Sequence, residues 1–239
     1  MAIYEAFNSN GVSVVVSDVD LDQAARDDGP LSTELADAAA QARRTDLVER
    51  LRRSLDGDDR ARKLAAAKAL LALADRGAGG LLESLAASEP DAVVAKSFVA
   101  IATRLRGPQA AVELFDDPET DPQLARLLVS NYNSHLRLEA GDIRFLITAL
   151  RQYLTRNLPW LANLRSDIWD NGVFLIVNAL SNDAAVRLLR DIGPERSDLL
   201  QLLAALPEHT IDDDIVTGAN DLRAALARSY GCFDGGLLG

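Results

Sequence analysis

Residues 69–94 read ALLALADRGAGGLLESLAASEPDAVV, and residues 98–125 read FVAIATRLRGPQAAVELFDDPETDPQLA. Placing Gly77 over Gly107 aligns the two stretches at one constant offset. That offset also superposes Leu82 on Val112, Glu83 on Glu113, Leu85 on Phe115, Asp91 on Asp121 and Val94 on Leu124. Each unit then consists of a longer helix, a glycine turn, a shorter apolar helix and an acidic turn with proline. Because an amphipathic helix pair cannot bury its apolar faces alone, the pattern predicts stacked helical hairpins.

A known class of repeats shares this order of features. Residues 60–86, RARKLAAAKALLALADRGAGGLLESLA, place basic residues early in an Ala/Leu-rich helix, followed by a turn and a second apolar helix. Over about residues 58–128 the chain resembles the HEAT/armadillo class of helical repeats, with units shorter than the roughly 40 residues typical of that class. The resemblance implies an α-solenoid-like fold and fades after Asn131.

Further helical patterns occupy the remaining chain without a fixed period. Ser32 is placed to cap a helix that runs to about Arg44, and Leu47, Leu51 and Leu55 form an i, i+4, i+8 stripe before Gly57. Later helices are predicted at about 122–137, 142–156, 159–170, 173–180, 183–191, 197–206 and 218–229. The sequence therefore predicts an all-α fold, with a helical repeat-like domain over residues 31–230 and a flexible glycine-rich tail over 231–239.

The segment up to Pro30 differs from the rest of the chain. Two β-prone runs, at 3–7 and 12–16, flank Asn10-Gly11, which predicts a short β-hairpin. Residues 18–30 are acidic and broken by Gly29-Pro30, which predicts a linker. An isolated hairpin is marginal in water. Because the valine run is apolar on both faces, with Val15 opposite its neighbours, we favour a homodimer contact through the hairpin slightly over simple docking on the helices.

Composition limits the classes of function. The formal net charge of −11 argues against a nucleic-acid binder on bulk electrostatics, although lysine depletion and Asp excess can also reflect a salt-rich cytoplasm. Cys232 is the only cysteine, so an intramolecular disulfide is not expected. The sequence shows neither a signal peptide nor a run of about 18 apolar residues, so we expect a cytoplasmic protein without a membrane contact.

The sequence motifs do not predict a catalytic, metal-binding or cofactor-binding site. The glycines of residues 76–85, RGAGGLLESL, suit a repeat turn better than a phosphate site. His135 and Glu139 share a helix face at i, i+4, but two ligands do not make a metal site. The neighbouring acids at 167–170 and 212–214 are better explained as solvated helix ends.

Charge and aromatic content single out residues 123–166 as a candidate surface. Six arginines there stand against Glu139 and Asp142, a local sum of 6 − 2 = +4. Arginine with Tyr, Trp and Asn is a composition enriched at binding surfaces. The candidate partner-binding residues are Tyr132, His135, Arg137, Arg144, Arg151, Arg156 and Trp160. The alternative is that these arginines pair with acidic residues on neighbouring helices.

Three hypotheses for function follow from these observations. The favoured one is a non-enzymatic scaffold or adaptor that binds a protein through its helical surface. The second is a nucleic-acid-associated regulator that uses the Arg/aromatic stretch at residues 123–166. The third is an enzyme with an unrecognised site near His135.

Overall fold

A computed structural model describes residues 1–133, 138–162 and 164–228. Within these residues the chain forms fourteen α-helices and one two-stranded antiparallel sheet. The predicted all-α fold with a short N-terminal β-hairpin is therefore confirmed. The predicted tail at 231–239 lies outside the described residues.

The elements follow one another with short connections. The strands are β1 (Ile3–Phe7) and β2 (Ser13–Ser17). The helices are α1 (Asp18–Arg26), α2 (Thr33–Gln41), α3 (Val48–Arg53), α4 (Arg60–Ala72), α5 (Ala78–Ser88), α6 (Ala92–Arg106), α7 (Pro108–Asp116), α8 (Pro122–Ser130), α9 (Ala140–Thr155), α10 (Pro159–Ala162), α11 (Ser166–Ser181), α12 (Asp183–Asp191), α13 (Gly193–Ala205) and α14 (Asp213–Ala227). Short 3-10 helices occur at Thr45–Leu47, Asn131–Asn133 and Leu206–Glu208.

Packing divides the chain into two compact units with a boundary between Ala110 and Ala111, inside α7. The domain limits near residues 30 and 230 that the sequence indicates stay a prediction. The first unit contains the hairpin together with helices α1 to α6, and the second contains the described residues from Ala111 onward. The hairpin therefore belongs to a larger packed body.

Alanine and leucine build the core of the first unit. Alanines of α2, α4 and α6 are buried, which lets their helix backbones approach closely. The predicted stripe of Leu47, Leu51 and Leu55 is buried as expected, at most 1% exposed. Ala6 and Val16 from the two strands join the same core, so helices cover one face of the sheet.

The two glycines that define the repeat both lie between helices, as predicted. Gly77 precedes α5 in a right-handed conformation, whereas Gly107 ends α6 with φ 110°. The left-handed residue after α4 is Ala74, so the turns correspond when Ala74, and not Gly77, is placed over Gly107. The buried pairs Ala78/Ala111 and Leu82/Phe115 follow the same shifted alignment.

The alignment predicted from the glycines holds at the helix starts. Asp91 caps α6 by accepting hydrogen bonds from the N–H groups of Val93 and Val94, and Asp121 caps α8 in the same way. The repeat register at the acidic caps thus differs from the register at the turn, because the segment from turn to cap is longer in the first repeat (residues 74–91) than in the second (residues 107–121). Whether these pairs form a HEAT/armadillo-like stack stays a prediction.

Several predicted element boundaries require correction. The predicted linker over 18–30 is wrong for Asp18–Arg26, which forms α1. The helix predicted at 122–137 ends at Ser130, and the one predicted at 159–170 is replaced by α10 and the start of α11. The predicted segment 183–191 coincides with α12.

A helix that crosses a bilayer needs about 20 predominantly apolar residues. No single described helix is long and apolar enough to cross a membrane, and only the bent pair α11 and α12 meets the criterion when taken together.

Candidate functional site

The two aromatic residues of the predicted surface are part of the core of the second unit. Tyr132 and Trp160 are 1% and 8% exposed. Tyr132 stacks on Phe145 with ring centroids 5.1 Å apart, and Trp160 meets Phe115 edge-on at 5.0 Å. Their expected exposure is therefore not found, because the apolar side chains of α7 and α9 surround them.

Tyr153 extends this aromatic cluster from α9 toward α11. Its ring lies 6.4 Å from that of Trp169, whose indole N–H donates a 2.9 Å hydrogen bond to the Tyr153 carbonyl. Burial raises the pKa of the Tyr153 phenol, and the positive charge of Arg126 opposes that shift. The cluster is a packing unit in which phenol ionisation is disfavoured.

The arginines of the predicted surface are engaged by local groups. Arg144 donates to Glu195 at 2.7 Å, and Arg151 forms an ion pair with Asp198. Arg156 takes a left-handed conformation after α9 and places its guanidinium 5.3 Å from the Trp169 ring centroid. Local acids thus compensate much of the charge that suggested a binding surface.

Two further candidates, His135 and Arg137, lie outside the described residues, so the hypothesis of an enzyme site near His135 stays a prediction. Partner or nucleic-acid binding through Arg144, Arg151 and Arg156 also stays a prediction. In the described ranges, no group of three or more His, Cys, Asp or Glu side chains is arranged to hold a metal ion.

The N-terminal hairpin presents a different kind of surface, built on a tight turn. The Asn8 carbonyl accepts a hydrogen bond from Gly11 N–H at 2.9 Å, and its side-chain oxygen accepts from the N–H groups of Asn10 and Val12. Within this turn only Gly11 has positive φ, at 74°. The short loop therefore has glycine at the left-handed position, a common hairpin connection.

One face of the hairpin is fixed to the first unit. Tyr4, Ala6, Val14 and Val16 pack against the helices, and Ala6 and Val16 are buried. The Asp18 carboxylate accepts hydrogen bonds from Ala2 N–H at 2.7 Å and from the Tyr4 hydroxyl at 3.0 Å. These two donors stabilise the charged carboxylate and thereby lower the pKa of Asp18.

The opposite face of the hairpin carries exposed apolar side chains. Ile3, Phe7 and Val15 are 65, 52 and 69% exposed. Between them the Ser13 hydroxyl donates a 2.6 Å hydrogen bond to Glu5. Val12, which precedes β2, is also exposed, but strand alternation places it on the side of Val14 and Val16. We call Ile3, Phe7 and Val15 the outer hairpin face.

This concentration of apolar surface is unusual for the chain. Among described residues, nine large hydrophobic side chains are exposed, and five of them lie within the segment 1–17. Sequence reasoning identified Val15 but missed Ile3 and Phe7. Their alternation with Tyr4 and Ala6 along β1 is the signal that identifies them.

A second surface feature lies in the second unit, between α11, α12 and α14. It is a groove of about 430 Å³ lined by Phe174, Val177, Val186 and Leu222 together with Asp214 and Asp221. Phe174 is 43% exposed, which makes it the closest counterpart of Phe7 in the described part of the second unit.

Comparisons with protein-family models, curated proteins and solved structures find no significant match to this chain. The candidate site therefore rests on its own geometry.

Proposed function

We propose that this protein is a non-enzymatic adaptor that binds a partner protein through the outer hairpin face. The observation that carries the proposal is the exposure of Ile3, Phe7 and Val15 on a sheet whose other face is packed on the core. Exposed apolar side chains grouped on one face of a sheet are typical of sites of protein–protein interaction.

The energetics suit a reversible contact. Covering one of these side chains contributes about 1 to 2 kcal/mol, because each is already partly covered. Association and side-chain ordering offset much of the total. We therefore expect moderate affinity that depends strongly on Phe7, since aromatic side chains dominate many interface hot spots.

The test compares two phenylalanines of similar exposure. The wild-type chain, Phe7→Glu and Phe174→Glu are each used to capture proteins from the native host, and bound proteins are quantified by mass spectrometry. We expect at least one protein that wild type and Phe174→Glu retain and that Phe7→Glu loses by about tenfold or more, equivalent to about 1.4 kcal/mol.

Circular dichroism on all three chains verifies that the helical fold is unchanged. Equal capture by wild type and Phe7→Glu would place the partner contact elsewhere. Loss with Phe174→Glu alone would assign binding to the groove of the second unit.

A further inference from the structure

The hydrogen bonds at both ends of the hairpin define which backbone groups face outward. Asp18 N–H donates to the Ala2 carbonyl, and Asn8 N–H donates to the Val12 carbonyl. Since the register pairs Tyr4 with Val16 and Ala6 with Val14, the even-numbered residues occupy the hydrogen-bonded positions. The N–H and C=O groups of Ser13 and Val15 therefore point away from β1.

The two edges of this sheet are not equally open. At the β1 edge the Gln41 side chain donates a 2.7 Å hydrogen bond to the Glu5 carbonyl. At the β2 edge Ser17 N–H donates a 2.8 Å hydrogen bond to the Asp20 carboxylate. Among the described residues, no backbone group pairs with Ser13 or Val15 at this edge. The β2 edge also lacks the lysine, proline or inward charge that commonly protects exposed strands.

The sequence of β2 is self-complementary. Residues 13–17 read SVVVS, a palindrome centred on Val15. We propose that the β2 edge pairs antiparallel with the same edge of a second copy, with the two-fold axis beside Val15. Val15 then faces Val15 of the other copy, Val14 faces Val16, and Ser13 faces Ser17, as a self-complementary two-fold interface requires.

The outward direction of the Val15 backbone groups and the distribution of charge both fit this arrangement. The outward N–H and C=O of Val15 bond reciprocally across the axis, so this central pair carries the main-chain pairing while Ser17 N–H stays with Asp20. The acidic start of α1 at Asp18 and Asp20 lies beside the uncharged turn at 9–11 of the other copy. A parallel arrangement would instead bring the two acidic ends together, which disfavours it.

This pairing joins the two hairpins into a continuous four-stranded sheet and doubles the outer hairpin face. It is independent of the partner-binding proposal, because it uses the strand edge and leaves that face open. Homodimer formation and partner capture can therefore succeed or fail separately.

Sedimentation velocity at tens of micromolar tests the assembly with wild type, Val15→Pro, Val15→Lys and Ile3→Lys. Val15→Pro removes one outward N–H, and Val15→Lys places two ammonium groups opposite each other. We expect wild type and Ile3→Lys to be dimeric, and both Val15 variants to have a dimer dissociation constant raised at least tenfold. A monomeric wild type, or dimers that persist in both Val15 variants with native circular dichroism, would overturn the proposal.

Disulfide trapping tests the register. In a Cys232→Ser background, which removes the only native cysteine, Val15→Cys places two thiols at directly opposed positions. Their Cα atoms would lie about 5.5 Å apart, within the range that a disulfide spans. Ile3→Cys is the control, since its copies would be separated by three strand spacings of about 4.8 Å each. We expect oxidation to cross-link position 15 alone. Cross-linking at position 3 without position 15 would overturn the register.

Discussion

Gly172 in α11 lies against the ring of Tyr153 in α9 so closely that a Cβ atom at position 172 would be 2.6 Å from the ring atom Cε1. Both residues are buried within the second unit. Glycine is therefore required here for the approach of a neighbouring ring, while its own backbone remains helical.

Gly172→Ala is expected to lower the free energy of unfolding by about 1 to 3 kcal/mol, because a buried ring must move to admit the methyl group. Gly80→Ala is the matched control, since a Cβ at that helical position meets nothing within 4 Å. The control should stabilise the chain by about 0.5 to 1 kcal/mol. Urea unfolding measures both, and equal effects would show that the Tyr153 contact is soft.

Lys63 and Glu89 form a nearly buried ion pair. Their Nζ and carboxylate oxygen are 2.7 Å apart, with side chains 11 and 7% exposed. Glu89→Gln should lower the free energy of unfolding by about 2 kcal/mol, because the Lys63 ammonium is left nearly buried without its counter-charge. Glu83→Gln breaks an exposed pair with Arg106 and should change stability by less than about 0.5 kcal/mol. Urea denaturation of the two variants provides the comparison.

The same pair predicts a pH dependence. The Lys63 hydrogen bond lowers the pKa of Glu89 below its ordinary value of 4.5, burial opposes the shift, and a hydrogen bond from Asp91 N–H also lowers it. Because the folded-state pKa is depressed, the stabilisation is present above the unfolded-state value and is lost as pH falls through the folded-state value. The stability difference between wild type and Glu89→Gln should therefore shrink as the pH is lowered from neutrality through the folded-state pKa. A constant difference in urea titrations across that range would contradict this assignment.

The start of α1 offers a test of capping. The Ser17 hydroxyl donates to the Asp20 carboxylate at 2.7 Å and accepts from Asp20 N–H at 3.3 Å. Ser17→Ala should lower the free energy of unfolding by about 1 kcal/mol. Ser32→Ala is the control, because Ser32 precedes α2 without a hydrogen bond from its side chain to any described residue. Similar losses in thermal unfolding would show that the capping box contributes little.

Substitution of Arg144 and Arg151 tests whether these arginines form structural ion pairs or a binding surface. The side chains of Arg144 and Glu195 are 60 and 27% exposed. Those of Arg151 and Asp198 are 46 and 36% exposed. Arg144→Gln and Arg151→Gln should each leave the free energy of unfolding nearly unchanged in urea titrations, because exposed pairs contribute at most about 1 kcal/mol. Captured proteins should be unchanged in the double variant; their loss would restore the Arg-rich surface as the site.

The acidic residues after β2 illustrate why one element was missed. Composition made residues 18–30 resemble a linker, yet Ser17 and Asp20 have the spacing of a capping box, and acids in a first turn are favoured by the helix dipole. The helix ends were harder to predict. Three left-handed residues, Arg43, Ala74 and Arg156, are not glycine. Local propensity disfavours this conformation for them, so the sequence alone does not predict it.

At the candidate site, too, local features were predicted from the sequence and features set by tertiary packing were not. The valine run and Asn10-Gly11 predicted the hairpin and its second apolar face, because strand alternation is a local property. Tyr132 and Trp160 were assigned to a surface from composition alone. Arginine and aromatic residues are enriched at interfaces, but large aromatics also build cores, and only the fold decides which role applies.

Ser17 ends β2 and also caps α1, so no flexible residue separates the strand from the helix that follows. Fixing one residue of a free backbone costs about 1 to 2 kcal/mol in conformational entropy. The β2 edge is ordered before a second chain arrives, so pairing along it carries little of that cost. Because β2 is held rigidly against α1, any strand that joins this edge also takes a fixed direction relative to α1. The same connection therefore determines both the geometry and the affinity of the assembly.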